Sequence, residues 1–196
     1  MSADELRIDP QTSILLLMDF QNGILANYPD AAPGLIARGQ ELLAWARGSG
    51  MNVGFVRVAF EDSDYEAVPS TNKMFSALAS ARRFPAADSS SQVTDQLAPL
   101  PGEHIFRKVR VGAMSTTDMH QTLKAKGITT LVMGGIATGG VVISTVRDAA
   151  DKDYRMIVIK DACHDADPDI HTVLTEKLIP RQASVATASE FLAAQA

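Results

Sequence analysis

The sequence predicts an α/β fold, a three-layer α/β/α arrangement with a mainly parallel six-stranded sheet. Two observations predict it. Short β-rich apolar runs alternate with longer helical patterns along the whole chain. The first of those runs is apolar at every position, as a strand buried on both faces of a parallel sheet should be.

That run is 13–18, closed by Asp19. Residues 33–48 read as a helix: Pro33 suits a first-turn position, Leu35, Ile36, Leu42, Leu43 and Trp45 make an apolar stripe, and Gly48 and Gly50 end it. Residues 53–60 read as the second strand. The stretch 61–102 is the least regular part, with one short helix at 73–81. Residues 104–109 are the third strand. Ser115-Thr116-Thr117-Asp118 looks like a helix start, and Gly127 stops that helix after Lys126. Residues 129–134 are the fourth strand, and 141–152 a helix with Val142, Val146 and Ala149 on one side. Residues 155–160 are the fifth strand. Asp167-Pro168 opens a helix that Pro180 closes. A last strand covers 183–186, and Thr187-Ala188-Ser189-Glu190 caps a terminal helix.

The 196 residues suit one domain, 1–196. Apolar residues make up 46% and charged residues 21%, ordinary globular usage. A net charge of −5 gives no basic face, which argues against a nucleic-acid partner. No apolar run approaches the roughly 18 residues of a membrane span. One cysteine, Cys163, makes no internal disulfide, and the acidic start Met1-Ser2-Ala3-Asp4-Glu5 lacks a leader pattern. These features together suit a reducing cytoplasm.

Three pieces carry candidate chemistry. Asp19 ends an apolar strand and is followed by Phe20-Gln21-Asn22-Gly23. It reads either as a half-desolvated acid or as a turn residue. Lys108, within Phe106-Arg107-Lys108-Val109-Arg110, either snorkels to solvent or pairs with an acid. Gly134-Gly135-Ile136-Ala137-Thr138-Gly139-Gly140-Val141 follows a strand and opens a helix, so its N–H groups can face an anion or a developing oxyanion, or it is simply a tight turn. It has neither the dinucleotide nor the phosphate-loop spacing. The strand ends in such a sheet share one edge, where ligands bind. Phe60 and Arg110 are further candidates for that edge. Glu61-Asp62-Ser63-Asp64 holds no histidine, and His104, His120, His164 and His171 form no ligand pair, so neither a metal nor another cofactor is expected.

In this order, Leu15-Leu16-Leu17-Met18-Asp19-Phe20-Gln21-Asn22, Phe106-Arg107-Lys108-Val109-Arg110, Gly135-Ile136-Ala137-Thr138-Gly139-Gly140-Val141-Val142-Ile143-Ser144-Thr145, Arg147-Asp148-Ala149 and Ile159-Lys160-Asp161-Ala162-Cys163 resemble the isochorismatase-like hydrolases, also called cysteine hydrolases. The resemblance runs from Ile14 to Leu192. It implies a Rossmann-like fold of the isochorismatase-like type, a small-molecule substrate and a homo-oligomer, dimer or tetramer. It gives Asp19 the role of acid or base and Lys108 that of the charge beside it. The turn, Ile136, Ala137, Thr138 and Val141, becomes an oxyanion hole built on the Ala137 and Val141 amides, with a cis bond at Ile136–Ala137. Apart from the resemblance, Phe20 and Gln21, which follow Asp19, are further pocket candidates.

The nucleophile position holds Val141, which has no nucleophile, so the covalent route is closed there. Cys163 follows a different strand and reads as a small buried apolar residue. The expectation is therefore a cysteine-free hydrolase using non-covalent acid/base chemistry. The alternatives are a silent member that binds a ligand or acts as a scaffold and, last, Ser144 or Thr145 as a substitute nucleophile.

Overall fold

A computed structural model describes residues 3–196. Six strands form the sheet: β1 (Ser13–Met18), β2 (Asn52–Val58), β3 (His104–Lys108), β4 (Thr130–Ile136), β5 (Arg155–His164) and β6 (Ser184–Ala186). Their order is β3-β2-β1-β4-β5-β6, and every pairing is parallel. The α-helices are α1 (Asn22–Leu25), α2 (Ala32–Gly48), α3 (Asp62–Glu66), α4 (Lys73–Ser80), α5 (Met119–Ala125), α6 (Ile143–Ala150), α7 (Pro168–Val173) and α8 (Ala188–Ala194). The chain winds from β1 out to β3, then crosses back to β4 on the other side of β1. That reversal opens a crevice at the carboxyl ends of β1 and β4.

Side-chain alternation divides β1 between two cores. Leu15 and Leu17 pack with residues of α2 and α8, whereas Ile14, Leu16 and Met18 pack with residues of α5 and α6. Each fully buried aliphatic side chain is worth about 1.5–3 kcal/mol. A one-residue slip would exchange the two faces, so this burial fixes the register. A third, smaller core of Val58, Phe60, Tyr65, Phe75 and Phe84 lies under the long connection. Arg47 on α2 pins the far end of that connection, its Nε and Nη2 lying 2.8 and 2.9 Å from the Glu103 carboxylate.

Several boundaries differ from the sequence reading. β5 runs to His164 and does not stop at Lys160. A register irregularity between Met133 and Gly135 absorbs the extra length. Gly134 is needed there, because a Cβ would sit 2.9 Å from both the Ala162 Cβ and its carbonyl oxygen. The helix expected from Ser115 starts at Met119, since the Thr116 and Thr117 hydroxyls bond the Val109 amide and the Ala113 carbonyl. The helix expected over 141–152 is preceded by a wide turn, Thr138–Val142, with a non-helical Gly140. β2 ends at Val58, and Phe60 rejoins the structure through an isolated bridge to Pro85. After α7 the chain relaxes into a wide turn, Leu174–Leu178, and a short tight one, Ile179–Arg181. The expected caps are present: the Asp167 side chain accepts the Asp169 and Ile170 amides, and Thr187 and Glu190 form a capping box.

Candidate active site

Asp19 stands where β1 leaves the sheet. Its φ of +64° is left-handed, a conformation aspartate tolerates better than most residues. The backbone thus bends sharply while the Asp19 amide still bonds the Val56 carbonyl at 2.8 Å. Lys108 ends β3, two strands away, opposite Val58 of β2. Adjacent strands lie about 4.8 Å apart, so only a long side chain spans β2. The Lys108 Nζ reaches Asp19 Oδ2 at 2.9 Å and donates to the Arg110 carbonyl at 3.3 Å. Asp19 and Lys108 are 4% and 3% exposed. Asp19 Oδ1 is buried without a hydrogen-bond partner. Burial pushes the Asp19 carboxyl above its ordinary range, outweighing the opposing pull of Lys108.

β4 runs beside β1 with Gly135 opposite Met18, which brings the following turn level with Asp19. The Ile136–Ala137 bond is cis. Within the turn the Gly140 and Val142 amides both donate to the Ala137 carbonyl, at 3.1 and 3.3 Å. The Gly139 amide donates to Asp165 Oδ2 at 2.6 Å. Thr138, fully buried, has its hydroxyl 2.8 Å from His171 Nδ1. Val141 is 2% exposed and shares a core with Met18, Met114 and Cys163.

Other candidates have different surroundings. Gln21 Oε1 accepts the Val58 amide at 2.8 Å, while its Nε2 donates to the Val58 and Ser91 carbonyls at 2.8 and 2.9 Å. Its side chain thereby stands in for a strand residue beside β2 and holds the returning loop. Phe20 is buried in the core beneath α2. Phe60 stacks on Tyr65, with ring centroids 4.9 Å apart. The Arg110 guanidinium bonds the Val109 and Ala67 carbonyls and lies over the Phe75 ring. Each of these four side chains thus has partners within the protein itself.

The substitute nucleophiles are similarly engaged. The Thr145 hydroxyl donates to the Val141 carbonyl at 2.7 Å and accepts the Ala113 amide. Ser144 lies against Gly112. Cys163 is buried, and burial lifts its thiol to about 12. Among the described residues no group of three or more His, Cys, Asp or Glu is placed to hold a metal ion. No described helix is long and apolar enough to cross a membrane.

A surface cavity of about 580 Å³ lies beside β6 among Arg155, Lys160 and Arg181 and is not lined by either member of the buried pair. The sequence reading missed Asp165 and His171 as neighbours of the turn. The available signal was position. Asp165 directly follows a strand adjacent to β4, and Asp167-Pro168 starts a helix that carries His171 back over the turn.

The Isochorismatase domain model matches residues 13–190. A ureidoacrylate amidohydrolase, RutB, from Methylobacterium radiotolerans is 33% identical over 187 residues, 85% of this chain and 72% of that protein. An uncharacterized isochorismatase family protein, YecD, from Escherichia coli O157:H7 is 30% identical, covering 95% of this chain and 98% of that one. Among solved structures, an isochorismatase family protein from Burkholderia thailandensis superposes with a TM-score of 0.80 at 28% identity, covering 95% and 96% of the two chains. The chain therefore belongs to the isochorismatase family of hydrolases.

Proposed function

We propose that this chain hydrolyses a small molecule by non-covalent acid/base chemistry. The observation that carries the reading is the buried Asp19–Lys108 pair with one carboxylate oxygen, Oδ1, left unpartnered. Lys108 holds Oδ2, so Oδ1 is the atom that gives a proton to the substrate. Water then adds to the activated carbon, the substrate bond breaks, and the water's proton returns to Asp19. The Ala137 and Val141 amides face the charge that develops on oxygen. Burial shifts Asp19 upward, the direction a general acid needs. Val141 occupies the position that the family resemblance assigns to the nucleophile, so no acyl-enzyme forms there. RutB of Methylobacterium radiotolerans is named for amide hydrolysis, which makes ureido and amide compounds the first substrates to try.

A second reading, a silent member that binds a ligand or acts as a scaffold, is favoured by Val141 and by the near-complete burial of the pair. One screen separates the two. Wild type and Asp19→Asn are assayed against a panel of small amides, ureido acids and vinyl ethers. Turnover by the wild type that falls at least about 100-fold in Asp19→Asn supports the acid/base reading. Turnover that survives the substitution removes it, and no turnover on any compound favours the silent reading. Val141→Cys is the companion: a gain of amidase activity means that only the nucleophile was missing.

A further inference from the structure

The turn after β4 is gripped by groups that the proposed mechanism leaves unused. Asp165, just past β5, is itself 8% exposed, and its Oδ2 takes the Gly139 amide at 2.6 Å. Its other oxygen, Oδ1, accepts the Asp167 amide at 3.3 Å, which ties the carboxylate to the start of α7. One turn into α7, His171 meets the Thr138 hydroxyl at 2.8 Å. The fit over the turn is close. A Cβ at Gly139 would lie 3.0 Å from both Asp165 Oδ2 and Ile170 Cγ2. Two consecutive turn residues are thus fixed by side chains from two different elements.

We infer that Asp165 and His171 are positioning residues for this turn. By occupying the Gly139 amide and the Thr138 hydroxyl they fix the peptide planes on either side, and so aim the Ala137 and Val141 amides at the Asp19–Lys108 pair. The inference rests on the proposed use of those amides. The physical reason is that a hydrogen bond to an ionised carboxylate is among the stronger ones a backbone amide makes. A turn containing several glycines is otherwise free to rotate its peptide planes. Electrostatic stabilisation of a developing oxyanion depends on donors that are already oriented.

The test needs no substrate. Amide proton shifts and hydrogen exchange are measured by NMR on the full chain for wild type, Asp165→Ala, Asp165→Asn and His171→Gln. The wild-type Gly139 amide should resonate downfield and exchange slowly. In Asp165→Ala it should move upfield and exchange at least about tenfold faster, and the Ala137 and Val141 amide resonances should move with it. Asp165→Asn, which keeps an acceptor of the same shape, should restore part of the protection. His171→Gln should shift the Thr138 amide and, again, those of Ala137 and Val141.

A Gly139 response with unmoved Ala137 and Val141 amides would overturn the inference, since the grip would then be local. A wild-type Gly139 amide that is neither downfield nor protected would overturn it without any variant having to fold. The separate Asp19→Asn assay decides the hydrolase reading, so the two can fail independently. If a substrate is found, Asp165→Ala should lower kcat with little change in KM.

Discussion

Asp19 is held above its ordinary value of 3.8 chiefly by burial, so the folded chain binds that proton more tightly than the unfolded chain does. The stability it contributes is complete below pH 3.8 and is lost as pH rises through the raised folded value. Asp19→Asn should therefore gain on the wild type as pH rises from about 4, in paired urea melts across that window. Cys163 makes a simpler case. Its thiol, lifted to about 12 within the core, should ignore a thiol reagent at pH 8 in the native protein and react in denaturant. Labelling of the native chain at the rate of a free thiol would show that the core opens there. Gln21 shows what a sequence leaves unsaid. Its place two residues past the acid suggests a pocket residue, yet its amide satisfies both backbone groups of Val58. Gln21→Ala strands buried polar groups and should cost about 3 kcal/mol in denaturant melts.

At the scale of elements, the strands were the easiest part to read and the turns the hardest. β1 announces itself because both its faces are covered, and a run without polar positions fits little else in a chain of this composition. The caps at Asp167 and Thr187 were legible for the same local reason, since a short side chain there meets amides within three residues. The start of α5 was not. Its threonine hydroxyls go to partners at Val109 and Ala113, a choice set by tertiary contact. The bulge that lengthens β5 was hidden too, because it answers an irregularity in β4, twenty-odd residues earlier in the chain. Removing the α8 cap with Thr187→Ala should cost about 1 kcal/mol and loosen α8 first, readable as faster amide exchange at the amino end of that helix. Unchanged exchange there would mean that Phe191 and Ala194, buried against α2 and the sheet, hold the helix without its cap.

For the molecule as a whole, Asp19 and Lys108 were foreseen as partners from their places at strand ends and from the order of motifs, and the sheet brings them together. The Asp165–His171 cluster at the turn was not foreseen, because no pattern links residues 138, 165 and 171 until α7 folds over the turn after β4. The family resemblance implies a dimer or tetramer, and light scattering should report two or four times the chain mass of 21.0 kDa. A mass of one chain would retire that expectation. The crossing back from β3 to β4 also has a bearing on synthesis. The acid and the amine are both translated before the bend that lies beside them, so a nascent chain carries two opposite charges with no roof. Until residue 136 emerges, β1 lacks one of its two flanking strands, and half of its backbone ladder is open to water or to a stray neighbour.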